Sequence, residues 1–320
     1  MERYSNRECI YSGPNSDIYK ALDDQTKKVI ALKIVDVDLN LKPHNIHQEI
    51  SILKCLNNDN VLQYLGSFMK HDDMVLVTPF YKYDLNKILS RHLKKSIKHN
   101  LDNPLESQRI TKNILPLDAI DLIFRGLVRA LNYLHNEIGV IHRDVKPGNI
   151  FFKRDDFNPV LGDFGISYPT KNPPEDEPVA EKYLDVCTGI YKPPELCFGI
   201  TEYGFEVDVW SLAILLTLLY SSLGKSCIEN EGNDLVLINS LFTNFGTPTL
   251  DPSSAMYWPE MDNDAYHFKS FDFTKRERRP IQQILPRCQD SKILSLFEKM
   301  IIYERSFRIT SSELYHELEL

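Results

Sequence analysis

The stretch Ile141-His-Arg-Asp-Val-Lys-Pro-Gly-Asn149 gathers an imidazole, a guanidinium, a carboxylate, an ammonium and a carboxamide into eight consecutive residues after an isoleucine. Working outward, Asp163-Phe164-Gly165 begins fourteen residues beyond Asn149, and Asp208-Val-Trp-Ser211 opens an apolar run that ends at Tyr220. Upstream, Ile30-Ala-Leu-Lys-Ile-Val35 and Met74-Val-Leu-Val77 are β-prone runs. Between them Ile46, Ile50, Leu53 and Leu56 share one helical face, which also carries Glu49 nearby. From about residue 117 the pattern turns helical, clearest in Leu117–Leu134, Val207–Tyr220 and Lys292–Ile302. The two halves therefore differ in class, and we expect an α+β chain with a small β-rich lobe followed by a larger helical one.

Composition narrows the function. The 320 residues carry 37 Lys plus Arg against 45 Asp plus Glu, a net charge of −8, which argues against a nucleic-acid module held by phosphate contacts. Six cysteines (Cys9, Cys55, Cys187, Cys197, Cys227, Cys288) show neither a C-x-x-C pair nor metal-ligand spacing, as expected of free thiols in a reducing cytoplasm or nucleus. The start, MERYSNREC, has no apolar core, so no signal peptide is expected. The run Val209–Tyr220 is shorter than the roughly 20 residues of a membrane span and reads as a buried helix, so no membrane partner is expected. Glycine is scarce, 13 residues, where average usage of about 7% would give nearly twice as many. The polar stretch 91–112 holds six basic residues against two acids and reads as a solvated insertion.

Taken together, His142-Arg-Asp-x-Lys-x-x-Asn149, Asp163-Phe-Gly165, the Ile30-Ala-Leu-Lys33 run with Glu49, and Pro193-Pro-Glu195 resemble the ordered motifs of protein kinases. The resemblance covers essentially the whole chain. It implies a two-lobed fold: an N-lobe over 1–80, a hinge at 81–85, and a C-lobe over 86–320. The C-lobe would carry an insertion at about 91–115, an activation segment over 163–195 and an insert of cyclin-dependent kinase (CDK) type at about 241–286. It also implies phosphoryl transfer from ATP with Mg²⁺ to a protein hydroxyl, chemistry that consists mostly of positioning and charge neutralisation. Lys33 would hold the α- and β-phosphates and Glu49 would hold Lys33. Asn149 and Asp163 would ligate Mg²⁺, a cation that prefers oxygen donors. Asp144 would accept the proton of the substrate hydroxyl, with Lys146 neutralising the γ-phosphate and Thr188 contacting both. A lysine at 146 marks the serine/threonine branch. Ile10, Gly13, Ile18, Ala31, Thr78, Pro79, Tyr81 and Phe151 would line the nucleotide pocket. Thr78 and Gly162 are both small, so an open back pocket is expected. His142 and Phe164, with Leu53 and Tyr64, would form an apolar spine, Asp208 would anchor the catalytic loop, and Arg308 would pair with Glu195.

Departures from the family pattern are informative. The phosphate-covering loop has Tyr11, Gly13 and Ser16 where the family has three glycines. A pseudokinase scaffold is therefore a competing reading, although every charged group needed for transfer is present. The segment LFTNFGTPTLDPSSAMYW over 241–258, with Pro259, resembles CDK relatives. Pro43–Glu49 takes the place of their cyclin-docking motif but keeps only its proline and glutamate, which argues against cyclin binding. Where a CDK has three arginines gripping a phosphothreonine, this chain has Gln48, Arg143 and Tyr168, with Tyr183 at the acceptor position. Residues 171–185 instead carry five acids and two lysines. We expect activity without activating phosphorylation, with Glu181 or Asp185 lying near Arg143. This set resembles the single-subunit fungal CDK-activating kinases, whose substrate is the activation-segment threonine of a CDK. A divergent CDK-like kinase with another protein substrate is the alternative. A monomer is expected.

Overall fold

The computed structural model describes residues 3–39, 41–98, 108–154, 156–230, 232–270 and 273–320, and side chains throughout these except at 98, 108, 109, 269 and 270. Five antiparallel strands build the first lobe: β1 Tyr4–Ser12, β2 Asp17–Asp23, β3 Lys28–Asp36, β4 Gly66–Lys70 and β5 Asp73–Pro79, in the order β1-β2-β3-β5-β4. Strand alternation divides the labour between the two faces. Ile30 and Leu32, with Ala21, Val75 and Val77, face a small core closed by Tyr4. Residues on the opposite face of β3 pair across the sheet, Ala31 with Thr78 and Lys20, and Lys33 with Leu76 and Ile18. That second face looks onto the other lobe.

Helix α1, Ile46–Cys55, lies between β3 and β4. Asn45 caps it, its side chain accepting from Gln48 N–H at 3.0 Å, the arrangement that satisfies an otherwise orphaned amide. Its buried face carries Ile46, Ile50 and Leu53 as the spacing predicts, together with Glu49.

After the connection come β6 Tyr83–Asp84 and α2 Leu85–Arg91, which Asp84 caps by accepting from Lys87 N–H at 2.8 Å. The basic insertion is a hairpin, β7 Leu93–Lys98 with β8 Gln108–Asn113; its centre, 99–107, lies outside the described residues. Its base is fixed rather than merely solvated, since buried Asn113 donates to Leu219 O and Ser221 O, both at 3.0 Å. Helix α3, Leu117–Asn132, continues into a wider turn over 133–138 that Gly139 ends at φ 81°, a left-handed position glycine adopts without cost. The short strands β9 Val140–Ile141, β10 Ile150–Phe152, β11 Val160–Leu161 and β12 Tyr168–Pro169 frame the catalytic stretch, with β10 between β11 and β6 and β12 paired to β9.

After α4, Pro194–Cys197, comes α5, Glu206–Leu219, apolar on all sides and buried along nearly its whole length. The apolar run is thus the axis of the lobe, and among the described residues no helix is long and apolar enough to cross a membrane. Helix α8 Ser291–Met300 packs against α5, as does α3, while α6 Asp234–Phe245 packs on α4, α7 Ile281–Ile284 on α8 and α9 Ser311–Glu317 on α3. Helix α6 runs unbroken through the start of the insert expected from about 241 and ends at Phe245. All six cysteines are free.

Candidate active site

Strand β3, helix α1 and the turn after β11 bring three charges to one point. Lys33 Nζ donates to Glu49 Oε2 at 2.8 Å and Oε1 at 3.0 Å, and to Asp163 Oδ1 at 2.9 Å. Burial pulls the ammonium down, but the two carboxylates outweigh it and hold Lys33 above its usual pKa. Burial likewise pushes Asp163 up, and Lys33 outweighs it, leaving that carboxyl below its usual range. Glu49, more deeply enclosed, is pushed up by burial.

The catalytic stretch forms a second cluster. Thr188 Oγ1 donates to Asp144 Oδ1 at 2.6 Å, and Lys146 Nζ lies 2.8 Å from both Asp144 Oδ2 and Thr188 Oγ1. Asn149 Nδ2 donates to Asp144 Oδ2 at 2.8 Å and to Asp144 O at 2.9 Å. With both amide hydrogens so committed, Asn149 Oδ1 has no hydrogen bond among the described residues. The loop backbone hangs on Asp208, which accepts from His142 N at 2.7 Å and Arg143 N at 2.8 Å, and also contacts His135 Nε2 at 2.9 Å. His142 accepts from Asp144 N through Nδ1 and donates through Nε2 to Gly162 O at 3.1 Å, while its ring meets Phe164 edge-on at 5.0 Å. Burial holds His142 below its usual pKa, consistent with this neutral tautomer. Phe164 and Leu53 are fully buried and Tyr64 packs against the same cluster, so the spine is assembled.

The nucleotide-facing residues also converge. Strand pairing sets Ile18, Ala31, Lys33 and Thr78 on one face, and the Tyr81 ring stacks on Phe151 at 5.8 Å. Directly beside Gly162 the space is taken: a Cβ there would lie 2.8 Å from the Phe151 ring and 3.3 Å from Leu62. In the covering loop, Tyr11 pairs with Ile18 and so belongs to the face that carries Lys33. Its ring lies over Gly13, where a Cβ would strike it. Ile10 beside it remains exposed.

The activation segment departs from expectation in one residue. The acid that meets Arg143 is Glu177, whereas Glu181 and Asp185 are exposed. The pair is a fork: Arg143 Nη1 on Glu177 Oε1 and Nη2 on Oε2 at 3.2 Å, both side chains almost wholly buried. Arg143 also donates to Ile166 O and to Tyr203 OH at 3.2 Å, and Glu177 Oε1 accepts Tyr183 N–H at 2.9 Å. Tyr168 packs its ring 5.3 Å from the guanidinium and donates to Glu177 O at 3.2 Å. Gln48 bridges α1 to this segment through Ser167 O. Three non-glycine residues here sit at positive φ, Arg143 at 66°, Asp163 at 62° and Cys187 at 62°, a strain of about 1–3 kcal/mol each that surrounding contacts must hold. Cys187 N–H donating to Arg143 O at 2.9 Å is one such contact. Glu195 and Arg308 form the expected buried pair, 2.7 and 3.1 Å apart at their two ends.

A model of the protein kinase domain matches residues 4–318. The serine/threonine-protein kinase CAK1 of Saccharomyces cerevisiae is 32% identical over 255 residues, 69% of each chain. A cell division protein kinase of Encephalitozoon cuniculi is 30% identical over 243 residues, 74% of this chain and 79% of that one. Among solved structures, the yeast RNA polymerase II CTD kinase complex CTDK-1 contains a chain of the same fold, with TM-score 0.75 at 24% identity, covering 100% of this chain and 92% of its own.

Proposed function

This chain belongs to the protein kinase domain family, in its CDK-related branch, and we propose that within it the chain acts as a CDK-activating kinase. It is an ATP-dependent serine/threonine kinase with a protein substrate. The finer reading is that the substrate is the activation-segment threonine of a cyclin-dependent kinase.

The observation that carries this reading is the Glu177–Arg143 fork. An enzyme that installs activating phosphates must not wait for one of its own. Here a carboxylate built into the chain supplies the negative charge that a phosphothreonine supplies elsewhere. The likeness to a kinase named CAK1 supports the same reading.

In the proposed mechanism Lys33 holds the α- and β-phosphates, positioned by Glu49. Asp144 accepts the proton of the attacking hydroxyl, Lys146 neutralises charge at the γ-phosphate, and Thr188 keeps both in register. Asn149 Oδ1 and the Asp163 carboxylate are oxygen donors of the kind Mg²⁺ prefers, and they fit an ion that takes its remaining ligands from phosphates and water. Bound there, Mg²⁺ neutralises phosphate charge. The completed charge set favours an enzyme over a scaffold despite the missing glycines.

The test is transfer of labelled phosphate from ATP to a purified CDK. Label on the intact CDK and none on a variant with its activating threonine changed to alanine is the expected result. Equal labelling of both would assign the chain a different protein substrate.

A further inference from the structure

The connection between β3 and α1 carries a histidine to which the mechanism gives no role. His44 is half-buried, and the backbone around it is fixed: His44 N–H donates to Leu41 O and Asn45 N–H to Gly165 O, each at 3.0 Å. Its ring crosses between the lobes and rests over Gly165. A Cβ built on that glycine would lie 3.3 Å from His44 Nδ1, 3.3 Å from Lys33 Nζ and 3.4 Å from Asp163 Oδ1. Three polar groups therefore converge on one point at the floor of the cleft. The imidazole thus lies beside two of the charged groups that the reaction needs, the Lys33 ammonium and the Asp163 carboxylate. Lys33 and Asp163 bond to each other, whereas the imidazole makes no hydrogen bond among the described residues. A half-buried ring with no hydrogen bond to the described residues, beside an ammonium and a carboxylate, is free to donate to a ligand that enters the cleft.

The covering loop indicates which ligand. In the family that loop turns glycine amides toward the phosphates. Here Gly13 N–H is committed to Ser16 O at 3.1 Å, and the Tyr11 ring covers Gly13 from the face that carries Lys33. The Gly13 amide is thus turned into the loop, which leaves a phosphate one donor short there. We propose that His44 donates an N–H to the terminal phosphate of bound ATP, in place of the Gly13 amide that Tyr11 and Ser16 close off. An imidazole offers that donor whether neutral or charged.

Comparing ATP with ADP isolates the terminal phosphate. Each nucleotide, with Mg²⁺, is titrated calorimetrically into the full chain and into H44A, H44L and H44Q. A hydrogen bond to a charged oxygen corresponds to about a ten-fold change in affinity. H44A is therefore expected to bind ATP about ten-fold more weakly with ADP unchanged. H44L refills the space without a donor and is expected to match H44A, so it carries the test if H44A folds poorly. H44Q restores a donor and is expected to recover part of the loss. Equal weakening of both nucleotides would make His44 a packing residue on Gly165, and unchanged ATP binding in H44A and H44L would remove the contact altogether. Either result overturns the proposal.

Discussion

Replacing Glu177 by alanine would leave the Arg143 guanidinium, wholly buried, without its only carboxylate partner among the described residues. Breaking a buried pair from one side costs about 3–5 kcal/mol. The lower end applies here, because Arg143 keeps Ile166 O and Tyr203 OH. The segment also loses the tie from Glu177 Oε1 to Tyr183 N–H. Carried through the equilibrium between ordered and disordered segment, about 3 kcal/mol is roughly a hundred-fold change. Glutamine keeps the shape and some of the hydrogen bonding but drops the charge, so E177Q should cost about half as much, close to ten-fold. The Lys33, Glu49 and Asp163 cluster does not touch Glu177, and ATP affinity should stay near wild type in both variants. The assay is steady-state phosphotransfer to a protein substrate at varied ATP and varied substrate, with limited proteolysis of residues 171–187 as the structural readout. We expect kcat/KM for the protein to fall in the order wild type, E177Q, E177A, with faster cleavage of the segment in the same order. An E177A enzyme within two-fold of wild type would show that the segment needs no internal carboxylate.

Three further outcomes are expected. R308A should lower unfolding stability by about 3 kcal/mol or more in denaturant titration, since it strands Glu195 in the core of the larger lobe. Unfolding stability should fall as pH drops below the ordinary aspartate range near 4: burial raises the pKa of Asp208, but bonds from His135 and His142 outweigh it, so the folded state binds fewer protons there than the unfolded one. D208N should flatten that acid limb in thermal unfolding measured across pH. G13A should disturb the covering loop because its Cβ meets the Tyr11 ring, and Y11G should relieve it; a double variant no better than G13A in ATP affinity would contradict that packing.

What the sequence revealed depended on the kind of signal each residue carried. Lys33, Glu49, Asp144, Asn149 and Asp163 stand out in the sequence by type, order and spacing, and the structure joins them by hydrogen bonds in two groups, Lys33 with Glu49 and Asp163, and Asp144 with Asn149. Asp208, His142 and the Glu195–Arg308 pair were legible in the same way. Which acid meets Arg143 was not. The segment 171–185 has five acids and no periodicity, and only its folded path, with Tyr168 and Tyr203 flanking the guanidinium, selects Glu177. The filled space beside Gly162 was hidden similarly, since small residues at 78 and 162 say nothing about where the Phe151 ring falls. The basic insertion read as a solvated insertion because lysines interrupt its alternation, Lys95 between Leu93 and Ile97 and Lys112 after Ile110. His44 carries no motif at all, and only its approach to Gly165 draws attention to it.

The most direct test uses the chain made in bacteria, treated with phosphatase, and mixed with Mg²⁺, ATP and a monomeric CDK in the absence of cyclin. Intact-mass measurement follows both proteins over time, with D144N as the inactive control. The expected result is one phosphate on the CDK, mapped to its activation-segment threonine, from an enzyme that itself carries none. A chain that stays inactive until Tyr183 or another segment residue is phosphorylated, or until a cyclin is added, would contradict it.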